Sequence, residues 1–469
     1  MSKSIRADFS QTYLLPPSLE DWVDFDHPAR FIRDFVSSLD FAELGFKEVE
    51  ATTGRPAYAV DLLLSVWLYG YVHRIRSTRE LERGCREHIS LLWLTGMHGP
   101  DHNTLWRFWR HNREALRGVF RQVVGVAYAS GLIGLAVHAV DGTKIRSCSS
   151  KRSAWHKQEL EVLLKRAEAS IDAMIAEVES REETELGEYR LPEELLDVQR
   201  RRAEIRAALD QLAQIDRAHQ HPQEPEARLV KGGEGIDLHY NAQVVVDQES
   251  GLIVSETVVN NEIDNTLLVA MVQRTEATLG AVAEETVADG GYYSPNELAK
   301  AEETGVEVLV PVKESTSRPG PFHKSQFSYD DQRDEYLCPL GKRLGYRQTR
   351  INSHGKYQVR EYRCGSARDC PRRWQCSPQQ KGRTILRGEH EAAVERQRQK
   401  QRSVTKQEIL RTRPAIVEVV FAQIKEQMRF RRFTVRHLEN VRTQWSLLCT
   451  VFNLRKLYRG WLAGRIAFS

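Results

Sequence analysis

The chain has 469 residues, 41% of them hydrophobic and 28% charged, with a formal net charge of +4 and seven cysteines. That length exceeds what one hydrophobic core serves, so more than one domain, or large insertions, is expected. The start from Met1 to Phe9 is polar and no apolar run is long enough to span a bilayer, so neither a secretory leader nor a membrane span is expected, and a soluble, cytoplasmic protein is.

Residues 1–130 read as an all-helical unit. Val60 to His73 is apolar, Ser77 and Glu80 have capping-box spacing, and a Gly-containing break spans Gly96 to Pro100. Asn103 is the expected cap of the next helix, with Leu105, Trp106, Phe108 and Trp109 inward and Arg107 and Arg110 outward. Helix, break and short basic helix is the outline of a helix-turn-helix reader, and such a unit is expected to fold and bind DNA alone; a plain helical bundle has the same outline.

Residues 131–313 alternate strands and helices. Ala136 to Val140 is a short apolar run between glycines, which predicts a buried strand ending at Asp141. A charged helical hairpin then interrupts, over 156–218: Leu160, Leu164, Ala167 and Ile171 keep three-four spacing, and Leu195, Val198, Ile205, Leu209 and Leu212 repeat it beyond Gly187 to Pro192. Tyr240 to Val246 and Gly251 to Val259 read as paired strands. Thr286 to Ala288 reads as a strand ending at Asp289, followed by an N-cap, a proline and a capping glutamate in Ser294-Pro295-Asn296-Glu297. Val306 to Val312 is one more buried strand.

Residues 314–389 are polar, rich in Pro and Gly, and hold Cys338, Cys364, Cys370 and Cys376. A four-cysteine Zn2+ site is one chemistry for them and reduced structural thiols the other, since paired C-x-x-C knuckles are absent. Residues 390–469 return to helix. They carry seventeen Lys and Arg against six Asp and Glu, a local balance of +11 that leaves −7 for the rest. Such a block suits a polyanion, or is a solvated helix face. Val417, Val420, Phe421, Ile424 and Met428 form a buried stripe there, with Glu418, Ala422, Lys425 and Arg429 on a neighbouring face and Arg431 and Arg432 just beyond. Leu438, Val441, Trp445, Leu448 and Phe452 predict a last amphipathic helix exposing Arg442 and Arg455.

Two acids at strand ends and a third on a late helix can meet at one edge of a mixed sheet. Three carboxylates around a cleft are what two Mg2+ or Mn2+ ions need for phosphoryl transfer. Four segments, Val137 to Lys144, Tyr240 to Asp247, Val287 to Tyr292 and Val417 to Lys425, resemble the DDE transposases of bacterial insertion sequences, as do Ala57 to Arg113 and Phe430 through Lys456. The resemblance implies an α/β, ribonuclease-H-like mixed sheet flanked by helices, with an all-α N-terminal domain and two insertions. It implies that Asp141, Asp289 and Glu418 are catalytic and hold magnesium, and that Lys425 contacts transposon-end DNA. The partners it implies are double-stranded DNA, as terminal inverted repeats and as target, and a second copy in a homodimeric synaptic complex. Related enzymes often carry an arginine four residues before the glutamate; here Pro414 stands there, with Arg411 and Arg413 nearby. The rival readings are a binding-only descendant of such an enzyme and, more distantly, a structural protein organised by the hairpin.

Overall fold

The fold comes from a computed structural model that describes residues 18–47, 56–182, 193–215, 217–232, 235–312, 320–351, 358–366, 368–377, 382–466 and 468. The expected break at Gly187 to Pro192 lies outside these residues.

Six helices lead: α1 (Pro28–Ser37), α2 (Val60–Val72), α3 (Thr78–Glu87), α4 (Ile89–Leu94), α5 (His102–His111) and α6 (Arg113–Ala129). Helix α2 is apolar on every side and buried along nearly its whole length, which marks an interior helix. Asp101 caps α5 by accepting from Thr104 N at 2.8 Å, in place of Asn103. Ser77 makes no side-chain cap bond, so the Ser77–Glu80 capping box does not form. A whole helix, α4, and a turn with Gly96 and Met97 at positive φ separate α3 from α5. The connection is therefore longer than the tight turn of a helix-turn-helix.

The central sheet combines β1 (Val137–Arg146), β4 (Arg228–Gly232), β5 (Gly235–Asp247), β6 (Ile253–Val259), β7 (Glu285–Val287) and β8 (Val308–Leu309) in the order β4-β5-β1-β7-β8, with β6 also on β5. β5 runs antiparallel to β1, β4 and β6, whereas β7 runs parallel to β1 and β8 parallel to β7. Asp247 accepts from Ser250 N and Oγ in the turn between β5 and β6, and Gly251 takes φ +62° there. β1 does not end at Asp141 but continues to Arg146. Gly142 lies opposite Gln243, where a Cβ would come within 2.1 Å of Gln243 Nε2, so this glycine serves a close approach and stops no strand.

Helices α9 (Leu268–Leu279) and α10 (Pro295–Glu303) flank the sheet. Glu297 does not cap its own helix. It is buried and accepts from Val269 N at 3.1 Å, capping α9 instead. The first insertion is closed at its neck by β2 (Trp155–His156) pairing with β3 (His219–Gln220), and it rises as α7 (Lys157–Glu182) and α8 (Glu193–Gln214) around Leu160, Ile205, Ala208 and Leu212.

The second insertion is a sheet that the sequence pattern did not reveal: β9 (Ser328–Asp330), β10 (Glu335–Leu337), β11 (Arg343–Ile351), β12 (Gln358–Cys364) and β13 (Thr384–Gly388), all antiparallel. Its small core is Phe322, Phe327, Tyr336, Leu344, Tyr362 and Ile385. A short helix, α11 (Arg373–Cys376), lies between its last two strands, and α12 (Glu391–Lys400), α13 (Val404–Ala422) and α14 (Leu438–Leu462) complete the chain. A π-helical turn, Gln423–Gln427, extends α13.

Helix α14 is more deeply placed than an amphipathic surface helix. Asn453 accepts from Ile253 N at 2.9 Å and donates to Ile253 O at 2.7 Å, satisfying backbone groups of β6. On its other contacts α14 meets the first helices: Phe31 packs edge-on against Tyr458 and Trp461, and Gln444 donates to the Tyr71 hydroxyl. One continuous apolar core thus runs from Val23 to Ile466 through both the N-terminal helices and the central sheet. The described buried residues between Val23 and Ala127 belong to this shared core. No helix among the described residues is long and apolar enough to cross a membrane.

Candidate active site and nucleic-acid interface

The parallel pairing of β1 with β7 puts Val137 beside Glu285, His138 beside Thr286 and Ala139 beside Val287. Two residues further along each chain come Asp141 and Asp289, so the two acids share a register position at one end of adjacent strands. Neighbouring strands lie about 4.8 Å apart, which brings these carboxylates together. Gly142 N donates to Asp141 Oδ1 and Gly291 N to Asp289 Oδ1, each at 2.8 Å, and these bonds fix the two side chains. Burial, and the Asp289 charge beside it, hold the Asp141 carboxyl above the ordinary range, against the pull of Arg413 and the Gly142 amide.

Arg413, on α13, is the partner that sequence reasoning left without a role. Its Nη2 lies 2.9 Å from Asp141 Oδ1 and donates to Val140 O at 3.2 Å, and the residue is 7% exposed. Twelve residues later Lys425 Nζ donates to Thr143 Oγ1 at 2.6 Å. The helix is thus tied to β1 on both sides of Glu418. Glu418 itself is exposed, two helical turns before Lys425 and on the same face. Among the described residues no three His, Cys, Asp or Glu side chains are grouped to hold a metal ion. The structure therefore brings Asp141 and Asp289 together and leaves Glu418 on the adjoining helix.

A buried polar network backs the pair. Tyr292 donates to Gln243 Oε1, Gln243 Nε2 donates to Asp264 Oδ1 at 2.8 Å, and Asn241 Nδ2 to the same oxygen at 2.5 Å. Burial and the charges of Asp264, Asp141 and Asp289 all disfavour the Tyr292 phenolate, so its hydroxyl stays a donor. Lys144 Nζ stands 3.8 Å from Asp264 Oδ1. No motif announced this network, although Asn241 and Gln243 are polar positions inside an otherwise apolar strand.

The basic residues separate by surroundings. Lys425 is half-buried, and burial and Arg431 lower its pKa while Asp141 raises it. Arg429 is exposed at φ +51°, and exposed Arg431 pairs with Glu426. Arg432 is placed otherwise than expected: Nε donates to Ser147 O at 2.8 Å and Nη2 to Cys148 O at 2.6 Å, clamping the segment after β1. Arg107 and Arg110 project from α5 into solvent as expected. Cys338, Cys364 and Cys376 pack on the core of the small sheet, and Lys342 N lies 3.2 Å from Cys338 Sγ. Burial foremost, then the other three thiols, raise the Cys376 pKa, and among the described residues no three of the four are grouped to hold a metal ion.

Residues 337–458 match the family described as Transposase DDE domain, a stretch that contains Glu418, Arg413 and Lys425. Residues 17–111 match the family described as Transposase domain (DUF772). Over these two stretches the chain is similar to transposases, and over the second to their DDE domain. The two matches bracket the central sheet, and Asp141 and Asp289 lie between them in the sequence. No curated protein and no solved structure matches the chain.

Proposed function

We propose that this protein, a transposase of a bacterial insertion sequence, cuts DNA at the terminal inverted repeats of its element and joins the freed 3′-hydroxyl ends to target DNA. The observation that carries the reading is the shared register of Asp141 and Asp289 at the end of two parallel strands. The central sheet, with four strands joined antiparallel and two more added in parallel beyond β1, supports a ribonuclease-H-like catalytic sheet. Glu418, held on a helix tied to β1 at both ends, is the third acid.

The donor set fits divalent metal: two repelling carboxylates are held side by side at a half-buried edge, which a cation relieves. Asp141, Asp289 and Glu418 would hold two Mg2+ or Mn2+ ions, which when bound activate the attacking water or hydroxyl and stabilise the leaving oxygen. The protein's own share is positional. The Gly142 and Gly291 amides orient the two aspartates, Arg413 offsets their repulsion, and Lys425 holds the Glu418 helix on β1 with its cation close to the scissile phosphate. Arg429 and Arg431 face the same DNA, and Arg107 and Arg110 face its flank. The active form is a homodimer that holds both element ends.

The test is cleavage of terminal-repeat DNA in magnesium by Asp141→Ala, Asp289→Ala and Glu418→Ala. Each variant loses cutting and keeps DNA binding, because affinity comes mainly from cations on phosphate. Wild-type cutting by any one of them removes that residue from the site. A wild-type chain that binds the repeats and never cuts them would favour a binding-only descendant.

A further inference from the structure

Beside the acids, on the other flank of β1, lies a cleft of about 360 Å3 whose cations on β1 and β4 have no role in that reading. Three parts of the chain wall it. β1 contributes Lys144 and Arg146, β4 contributes Lys231, and the segment after α13 contributes Lys425 and Arg431. Asp237 is the acid in the lining, 3.7 Å from Arg146 Nη1. His239 also lines the cleft and donates no charge, since burial lowers its pKa. Gly142 and Thr143 form the floor, and they directly follow Asp141.

Five cations and one acid line the cleft, drawn together from segments nearly three hundred residues apart; Asp237, Asp264 and Glu426 offset Arg146, Lys144 and Arg431, and the lining still keeps a net positive charge. A folded chain tolerates that where an anion is to be bound. The volume is far too small for a duplex and suits one or two phosphates of a single strand. We infer that this cleft grips the phosphodiester backbone of one DNA strand immediately beside the bond that is cut, with Lys144, Arg146 and Lys231 as its unassigned contacts. The inference rests on the strand-cutting reading for its direction, since Asp141 and the cleft floor are consecutive residues. Lys144 is the central contact: it lines the cleft, and its buried Nζ stands 3.8 Å from Asp264 Oδ1, beyond hydrogen-bond distance. Phosphate oxygens there give it charge-assisted hydrogen bonds that the free protein lacks.

The experiment uses the full chain in EDTA, so that binding is read without cleavage. Fluorescence anisotropy measures affinity for a labelled 20-nucleotide single strand and for a duplex of the same sequence, from low to moderate salt. Lys144→Gln, Arg146→Gln and the exposed Lys231→Gln are compared with Arg200→Gln on the α8 hairpin arm. Each cleft variant is expected to weaken binding of both probes several-fold at low salt and to lower the slope of log affinity against log salt. The loss is about 0.7 per contact on the single strand and about 0.9 on the duplex. Arg200→Gln leaves both unchanged. Wild-type slopes for all three cleft variants on the single strand would overturn the assignment. So would an equal loss in Arg200→Gln, which would mean a general charge effect. Lys231 is on the surface, so its variant stays informative if Lys144→Gln misfolds. Cutting by Asp141→Ala with altered slopes in the cleft variants would sink the catalytic reading and spare the cleft; the opposite pair of results would sink the cleft alone.

Discussion

Arg413 Nη2 and Asp141 Oδ1 stand 2.9 Å apart in a nearly buried ion pair, on a helix and a strand 272 residues apart in the chain. The pair does two things at once. It neutralises one of two adjacent carboxylates, and it docks the helix that carries Glu418.

Arg413→Met should therefore destabilise the metal-free protein by roughly 3 kcal/mol, since it leaves a buried carboxylate beside a like charge. Added magnesium should restore more melting temperature to the variant than to the wild type, because a cation at Asp141 replaces the missing guanidinium. Thermal melts in EDTA and in magnesium check both statements. A variant with wild-type melting temperature in EDTA would show that the pair contributes nothing to the fold.

Why Arg413 escaped the sequence is a matter of geometry. Its position, one residue before a helix-interior proline, says only that the helix bends nearby. Its partner depends on how α13 crosses β1, which no local pattern encodes. Asp141 and Asp289 were legible because each follows a short apolar run and precedes glycine, even though one of those runs turned out to be only the first part of a longer strand. The helical hairpin was legible from its three-four spacing. The small sheet was not: β11 has one buried residue in nine, so the alternation that betrays a strand is missing. Glu297 was mistaken for the cap of its own helix because the helix it does cap is distant in sequence.

The continuous core makes a second prediction, against the expectation of a self-standing N-terminal unit. Residues 1–130 expressed alone should not melt cooperatively. Phe31 and Tyr71 are 2% and 1% exposed in the whole chain and meet residues of α14 there. Uncovering such side chains costs about 1.5–3 kcal/mol each. Circular dichroism of the fragment should show a broad transition and partial helicity. A sharp, reversible melt would restore the independent domain.

Glu391 supplies a pH test. Burial raises its carboxyl, but Lys324 at 2.9 Å and Arg398 at 3.4 Å outweigh that and hold it below its ordinary value of 4.5. A carboxyl depressed on folding stabilises the fold above its unfolded pKa, and that stability is lost as pH falls through the folded value. Glu391→Gln should cost about 2 kcal/mol at pH 7, loosening the cysteine-bearing sheet from α12. The gap to wild type should hold down to about pH 4.5 and then close on further acidification. Denaturant titrations at pH 7, 5 and 3 check it, and a gap that widens in acid would contradict the sign.

Lys425 and Arg432, seven residues apart, should separate binding from stability. Lys425 Nζ is held near the acids by one neutral hydroxyl, so its charge remains available to phosphate. Arg432 is committed instead to the backbone carbonyls of Ser147 and Cys148, just beyond β1. Lys425→Ala should weaken DNA binding almost equally for terminal-repeat and random duplexes and lower the salt slope by about 0.9, with little change in melting temperature. Arg432→Ala should do the reverse: roughly 1 kcal/mol of stability lost, from the part-buried Ser147 carbonyl left without its donor, and a salt slope near wild type. Measuring slope and melting temperature on the same two preparations decides the matter. If Arg432→Ala lowered the slope as much as Lys425→Ala while melting like wild type, the clamp would be incidental and Arg432 would belong with the phosphate-binding cations.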